Sequence, residues 1–261
     1  MAIAIIVLLA TGAAAAPWVA PYDPLAIVAE PLAVPSWSHL LGADRVGRDV
    51  LSRLLHGARL SVGGAAAALG VIAGIGMILG ALAGYYGRLL DTAIMRLVDA
   101  VLAIPGLLLA LAIAGLLQPG LVSVIAALSA VWWARYARVT RALVLSYRER
   151  DFVLAARALG ARDRHVFRQH LLPHIVSPIL ALAAQEFGTL ILAVASLSFL
   201  GLGLQPPAPE WGAMISEARS VFLIAPHVLL APGLAITLAV LAFNLIGESV
   251  AGRLSRTHEQ R

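Results

Sequence analysis

The chain has 261 residues, of which 61% are hydrophobic and 13% charged, and a net charge of +5 at pH 7. A soluble domain of this length has too little polar side chain to cover so much apolar surface, so the composition points to a polytopic membrane protein. There is no cysteine, which excludes disulfides and thiolate metal sites, and every basic residue is arginine. Without lysine the chain has no G-x-x-x-x-G-K-[ST] phosphate loop and no Schiff-base chemistry, which excludes nucleotide hydrolysis by that route and a retinal group.

A spanning helix needs about 20 mostly apolar residues to cross a hydrocarbon core of about 30 Å. Six stretches meet that requirement: Ala2–Ala20, Ser61–Tyr86, Ala93–Leu117, Leu121–Tyr136, Ile179–Leu202 and His227–Ile246. The predicted fold class is therefore all-α, a six-span helical bundle with a polar loop between spans four and five. The first stretch lacks the basic n-region of a cleaved signal peptide, so it is read as a retained helix. In the second, Gly70, Gly74, Gly80 and Gly84 form small-x-x-x-small pairs that predict close helix packing. The fourth is short before its arginines begin. Its helix is expected to continue into water, with Trp132, Trp133 and Tyr136 as an interfacial belt.

Arginine placement sets the orientation. The 88–96 connection, the 135–168 loop and the tail carry most of the arginines. The opposite side carries Arg45, Arg48, Arg53, Arg59 and Arg219, beside Asp23, Glu30, Asp44, Asp49, Glu210 and Glu217. The positive-inside rule then places the loop and both termini in the cytoplasm. The same rule accounts for the basic balance better than nucleic acid does.

Between spans one and two, Asp49 and Arg53 stand at i,i+4 spacing, with Val50, Leu51, Leu54 and Leu55 as an apolar face. This predicts an interfacial helix leading into the second span, with a docking role for an external protein as the functional alternative. Asp99 lies one turn from Arg96, a spacing that predicts a local ion pair.

The stretch 152–175 is the chemically distinctive one. Residues 152–159 are good helix formers, and Gly160 suits a left-handed cap. Asp163 is placed to cap a second short helix, with Val166, Phe167 and His170 on one face, Arg164 and Arg168 on another, and Pro173 at its end. The product is helix, turn, helix. It fits either a hairpin resting on anionic lipid headgroups or a docking knob for a partner.

Glu186 lies inside the fifth stretch, and an intramembrane carboxylate is a candidate functional group. A structural hydrogen bond and a substrate contact are both open for it. The histidines are scattered, and His170 and His174 have Pro173 between them, so no metal site is expected. The run Gln205-Pro-Pro-Ala-Pro-Glu-Trp-Gly212 predicts a rigid external turn with Trp211 as an interface anchor.

The loop resembles a known family. Ala155-Ala156-x-x-x-Gly160 and Leu172-Pro173 look like the cytoplasmic loop of ABC-importer permeases, with the pattern E-A-A-x-x-x-G, nine residues, I-x-L-P. Leu154 and His170 replace the usual glutamate and isoleucine. HLLGADRVGRDVLSRLLHGARLSV (39–62), SFLGLGLQPPAPEWGAMISEAR (198–219) and APGLAITLAVLAFNLIGE (231–248) are similar to the dipeptide/oligopeptide/nickel branch of that family.

The resemblance implies a multi-pass permease subunit of a prokaryotic inner or plasma membrane, without ATPase activity, catalytic residues or a cofactor. Its implied partners are a second homologous permease, two ATP-binding subunits and an extracytoplasmic substrate-binding protein, with membrane lipid around it. Ala155, Ala156, Gly160, Asp163, Phe167, Leu172 and Pro173 would form the ATPase-coupling loop. The division implied is 1–60 for the first helix and lead-in segment, 61–250 for the permease domain and 251–261 for a cytoplasmic tail. Peptides are the expected substrate and chelated nickel the alternative. A carrier of another class, moving protons on Glu186 or Asp99, would need no ATPase.

Overall fold

The computed structural model describes residues 15–259, and of residues 248–259 the backbone alone. Most of the predicted first span, Ala2–Ala20, lies outside the described residues, as do the side chains of the 251–261 tail. Among the described residues the regular elements are all helical. They are α1 (Val50–Tyr86), α2 (Arg88–Leu102), α3 (Gly106–Gly115) and α4 (Leu121–Tyr147). Then follow α5 (Asp151–Ala158), α6 (Asp163–Phe199), α7 (Trp211–Ala218) and α8 (Pro226–Glu259).

Three of these are long and apolar enough to cross a membrane: α1, α6 and the Pro226–Gly247 part of α8. The third predicted span is broken. Helices α2 and α3 meet at a 90° bend, and together they qualify as a fourth span. The bend falls at Pro105, which has no N–H and pushes Ile104 out of the helical region. Helix α4 has 27 residues, but Arg135, Arg138 and Arg141 occupy its second half. As expected, it runs well past Tyr136.

The interfacial helix predicted before the second span is continuous with that span, giving one helix of 37 residues. Asp49 begins it: its Oδ2 accepts the Ser52 N–H at 2.8 Å and the Ser52 hydroxyl at 2.7 Å, an N-cap that satisfies an orphan donor. At the far end, Arg148 Nη1 donates to the Gly84 carbonyl at 2.9 Å and satisfies one of the orphan acceptors.

The chain forms two compact units. Among the described residues one comprises 15–68, 111–127 and 186–246, the other 69–110, 128–185 and 247–259. In the second, a glycine face of α1 lies directly on α4. A Cβ at Gly76 would come within 2.3 Å of Tyr136 Cβ, and one at Gly80 within 2.3 Å of the Ala137 carbonyl oxygen. The close packing predicted from small residues is present, but on the stripe Gly76, Gly80, Gly84, while Gly70 and Gly74 face open space. This approach draws Trp133 and Tyr136 into the core, where Tyr136 is 0% exposed, so the expected belt at the end of span four does not form. Trp133, Ala134 and Ala137 then pack with Val98 of α2. Asp99 pairs with Arg138 at 2.6 Å rather than with Arg96, because α2 lies alongside α4.

In the first unit, Phe187 of α6 meets Phe243 of α8 edge-on at 4.4 Å. Helix α7 sits so close to α6 that a Cβ on Gly212 would lie 2.2 Å from the Ala195 oxygen. Trp211 is buried, its indole N–H donating to the Leu54 carbonyl at 3.0 Å. It is a core residue and not the interface anchor expected from the proline-rich turn. Glu210 caps α7 by accepting the Ala213 N–H at 2.9 Å, and it also accepts the Ser61 hydroxyl at 2.7 Å.

Candidate functional site

Helix α5 ends in a Schellman motif. The Gly160 N–H bonds the Arg157 carbonyl at 2.9 Å and the Ala161 N–H bonds the Ala156 carbonyl at 3.0 Å. Gly160 has φ +83, which the motif requires and a side chain resists. A Cβ there would meet nothing within 4 Å, so the demand is on backbone conformation alone. The predicted left-handed cap is in place.

The second half of the loop departs from expectation. Asp163 does not cap the helix it begins. Arg162 is the N-cap residue, with no side-chain cap bond, and the Asp163 carboxylate accepts the Tyr85 hydroxyl instead. Pro173 does not end the helix, which continues into α6 through a π-turn over Val166–Leu171. In a regular α-helix the ring of Pro173 would crowd the carbonyl four residues back. The widened turn just before it lets the helix pass the proline instead of stopping.

The loop has two kinds of apolar residue. Val153, Val166 and Leu171 are fully buried and hold α5 against the start of α6. Phe152 stacks on His174 at 5.2 Å, and Phe167 meets Tyr85 edge-on at 6.1 Å. Arg157 lies over the Tyr85 ring at 5.5 Å, a contact with no local sequence signal because the partners are 72 residues apart in number. By contrast Leu154, Ala155, Ala158 and Leu159 are exposed, Leu159 at 89%. The loop therefore offers a short apolar ridge on a packed, capped base.

A second polar cluster lies in the lead-in segment. The predicted Asp49–Arg53 pair is not formed, because Asp49 is spent on the cap of α1 and on His39 Nδ1 at 3.1 Å. Arg53 instead reaches Asp44 at 2.7 Å and Glu217 of α7 at 2.7 Å, and Arg48 reaches the same two carboxylates at 2.6 and 3.3 Å. Arg53 is 1% exposed, so the guanidinium is tolerated only because its donors are matched. Burial pushes the Glu217 carboxyl above the usual carboxylate range, with Arg48 pulling it back. The cluster borders a cavity of about 300 Å³. Sequence spacing could have suggested Asp44–Arg48 at i,i+4, but not the contribution of Glu217.

Glu186 is buried, at 8% exposure, within α6. Among the described residues no group of three or more His, Asp or Glu side chains could hold a metal ion.

Residues 76–259 match the family described as binding-protein-dependent transport system inner membrane component. The chain belongs to that family. It is 41% identical to the nickel transport system permease protein NikC of Escherichia coli, over 97% of this chain and 92% of that protein. It is 44% identical to the di/tripeptide transport system permease protein DppC of Pseudomonas aeruginosa, over 92% and 81%. It is 45% identical to the glutathione transport system permease protein GsiD of Pectobacterium atrosepticum, over 84% and 73%. A crystal structure of an amino acid ABC transporter with histidines shares the fold, with TM-score 0.57 at 16% identity over 77% of this chain and 94% of that one.

Family membership decides the class. The chain is a multi-pass membrane permease subunit of an ABC importer, working with ATPase and substrate-binding partners and not itself an enzyme. That answer is incompatible with a self-sufficient proton carrier built on Glu186 or Asp99.

Proposed function

We propose that residues 152–175 are the element through which this permease is driven, and that the chain moves short peptides inward. The observation carrying the coupling reading is the exposed ridge Leu154, Ala155, Ala158 and Leu159 on a helix fixed by the Gly160 cap. An apolar ridge raised from an arginine-rich loop is costly in water and gains by entering a partner's groove. ATP binding would draw two ATP-binding subunits together, and the loop would carry that movement into α6, with which it is continuous. The change in cavity access is then a two-state equilibrium biased by contacts that differ between the states. A second, homologous permease would complete the bundle. The arginine distribution supports a cytoplasmic loop and cytoplasmic termini.

For the substrate, two of the three relatives named above are named for peptides, glutathione and di/tripeptides. The nickel reading is favoured by the 97% coverage of this chain in its match to the nickel permease. Calorimetric titration of the associated external binding protein with dipeptides, glutathione and chelated nickel separates them; saturable heat with nickel alone would overturn the peptide reading. Coupling is tested by Gly160→Val in the reconstituted importer. Transport per ATP hydrolysed is expected to fall sharply, while normal transport by an intact assembly would remove the loop from the mechanism.

A further inference from the structure

The arginines of the loop are not all accounted for by the ridge. Arg162, Arg164 and Arg168 line an open groove of about 750 Å³, together with His165, Gln169 and Pro173. No carboxylate lines this groove. Sharing Arg164 with it is a cleft of about 380 Å³ whose walls include Ile78, Leu82 and Tyr86 of α1 and Phe167 and Leu172 of α6. The one acid in the cleft, Asp163, is engaged by the Tyr85 hydroxyl.

The two spaces differ in chemistry. Ile78, Leu82 and Tyr86 recur at four-residue intervals along α1, and Ile78 and Tyr86 are well exposed. The stripe runs for about 12 Å at 1.5 Å per residue. That approaches the depth of one leaflet, about half of a 30 Å hydrocarbon core. It stops where α1 gives way to Gly87 and Arg88, and Arg164, shared by cleft and groove, stands beside it near the start of α6, with Arg162 just before that helix and Arg168 within it. The π-turn at Val166–Leu171 contributes to both spaces, Phe167 to the cleft and Arg168 to the groove.

We propose that the cleft and groove together bind one anionic phospholipid. An acyl chain lies along Ile78, Leu82 and Phe167, and the phosphodiester sits among Arg162, Arg164 and Arg168. Guanidinium forks suit phosphate oxygens, and a cationic groove without carboxylates selects against zwitterionic headgroups. The ridge residues Leu154 and Leu159 line neither space. The lipid site and the ridge thus share the 152–175 segment but use different side chains, and the cleft residue Ile78 lies outside that segment.

The test uses the assembled importer in nanodiscs of mixed phosphatidylcholine and phosphatidylglycerol. Photoactivatable phosphatidylglycerol, with its diazirine in the acyl chain, is expected to label the Met77–Tyr86 segment of α1 and the Phe167 segment of α6. Labelling is expected to fall about fivefold for each of Arg162→Ala, Arg164→Ala and Arg168→Ala. Ile78→Trp, which obstructs the cleft and leaves every arginine, is expected to abolish it while the ATP-binding subunits stay attached. Equal labelling by photoactivatable phosphatidylcholine would overturn the proposal. So would indifference to the arginine changes, or displacement of the probe by inorganic phosphate, which would make the groove a free-anion site.

Discussion

Arginine does opposite things in the lead-in segment and in the loop. Arg48 and Arg53 are almost completely buried, and each is held between the carboxylates of Asp44 and Glu217. Arg162, Arg164 and Arg168 are exposed, and their groove contains no acid. The first set closes a structure, because a buried guanidinium must be matched where it stands. The second leaves positive charge for something outside the chain. Pairing, rather than the number of arginines, separates a structural cluster from an interaction surface.

The largest expected effect lies at the buried cluster. Arg53→Ala leaves two carboxylates facing each other without their best donor and should cost about 3–5 kcal/mol, read as a lower Tm of the purified assembly. A shift no larger than that of a surface substitution would mean the cluster is not the clamp described. Arg164→Ala, in the loop, should change stability by less than about 0.5 kcal/mol.

Between these extremes stands the glycine stripe. Gly80→Ala puts a methyl 2.3 Å from the Ala137 carbonyl oxygen and must push α1 from α4. Overpacking of this kind costs about 1–3 kcal/mol. Gly74→Ala, whose Cβ would meet nothing within 4 Å, should be neutral or slightly stabilising in the same thermal assay. Equal shifts for the two would refute the assignment of the packing face.

The smallest effect is a pH dependence at Glu217. Burial raises its carboxyl in the folded chain, so the folded state holds that proton to higher pH than the unfolded state does. Its contribution to stability is fully present below the ordinary carboxylate pKa and is lost as pH rises through the raised folded value. Glu217→Gln should flatten that fall. An unchanged slope would show that another group titrates there.

Much of this was legible in the sequence, where the rule is local. The helical bundle, the left-handed Gly160 and the loop between two apolar stretches follow from composition, cap chemistry and arginine placement. What escaped depended on residues far apart in the chain. Trp133 and Tyr136 look interfacial until the α1 glycines bring α4 within contact. Asp163 looks like a cap until Tyr85 takes its carboxylate. Asp49 and Arg53 have the spacing of a pair, yet Asp44 and Glu217 offer Arg53 better geometry. Pro173 reads as a stop, and a π-turn carries the helix past it. Pro105, by contrast, carried a local signal for the break in the third span, outweighed by the apolar run around it.

The claim that the loop grips a motor on the cytoplasmic side has a direct test, because the chain contains no cysteine. Leu159→Cys puts one thiol on the exposed ridge. In membranes stripped of the ATP-binding subunits, it should react with an impermeant maleimide only in inside-out vesicles, and in the reassembled importer a short bifunctional reagent should join it to an ATP-binding subunit. Labelling confined to right-side-out vesicles, with no cross-link to that subunit, would contradict the account.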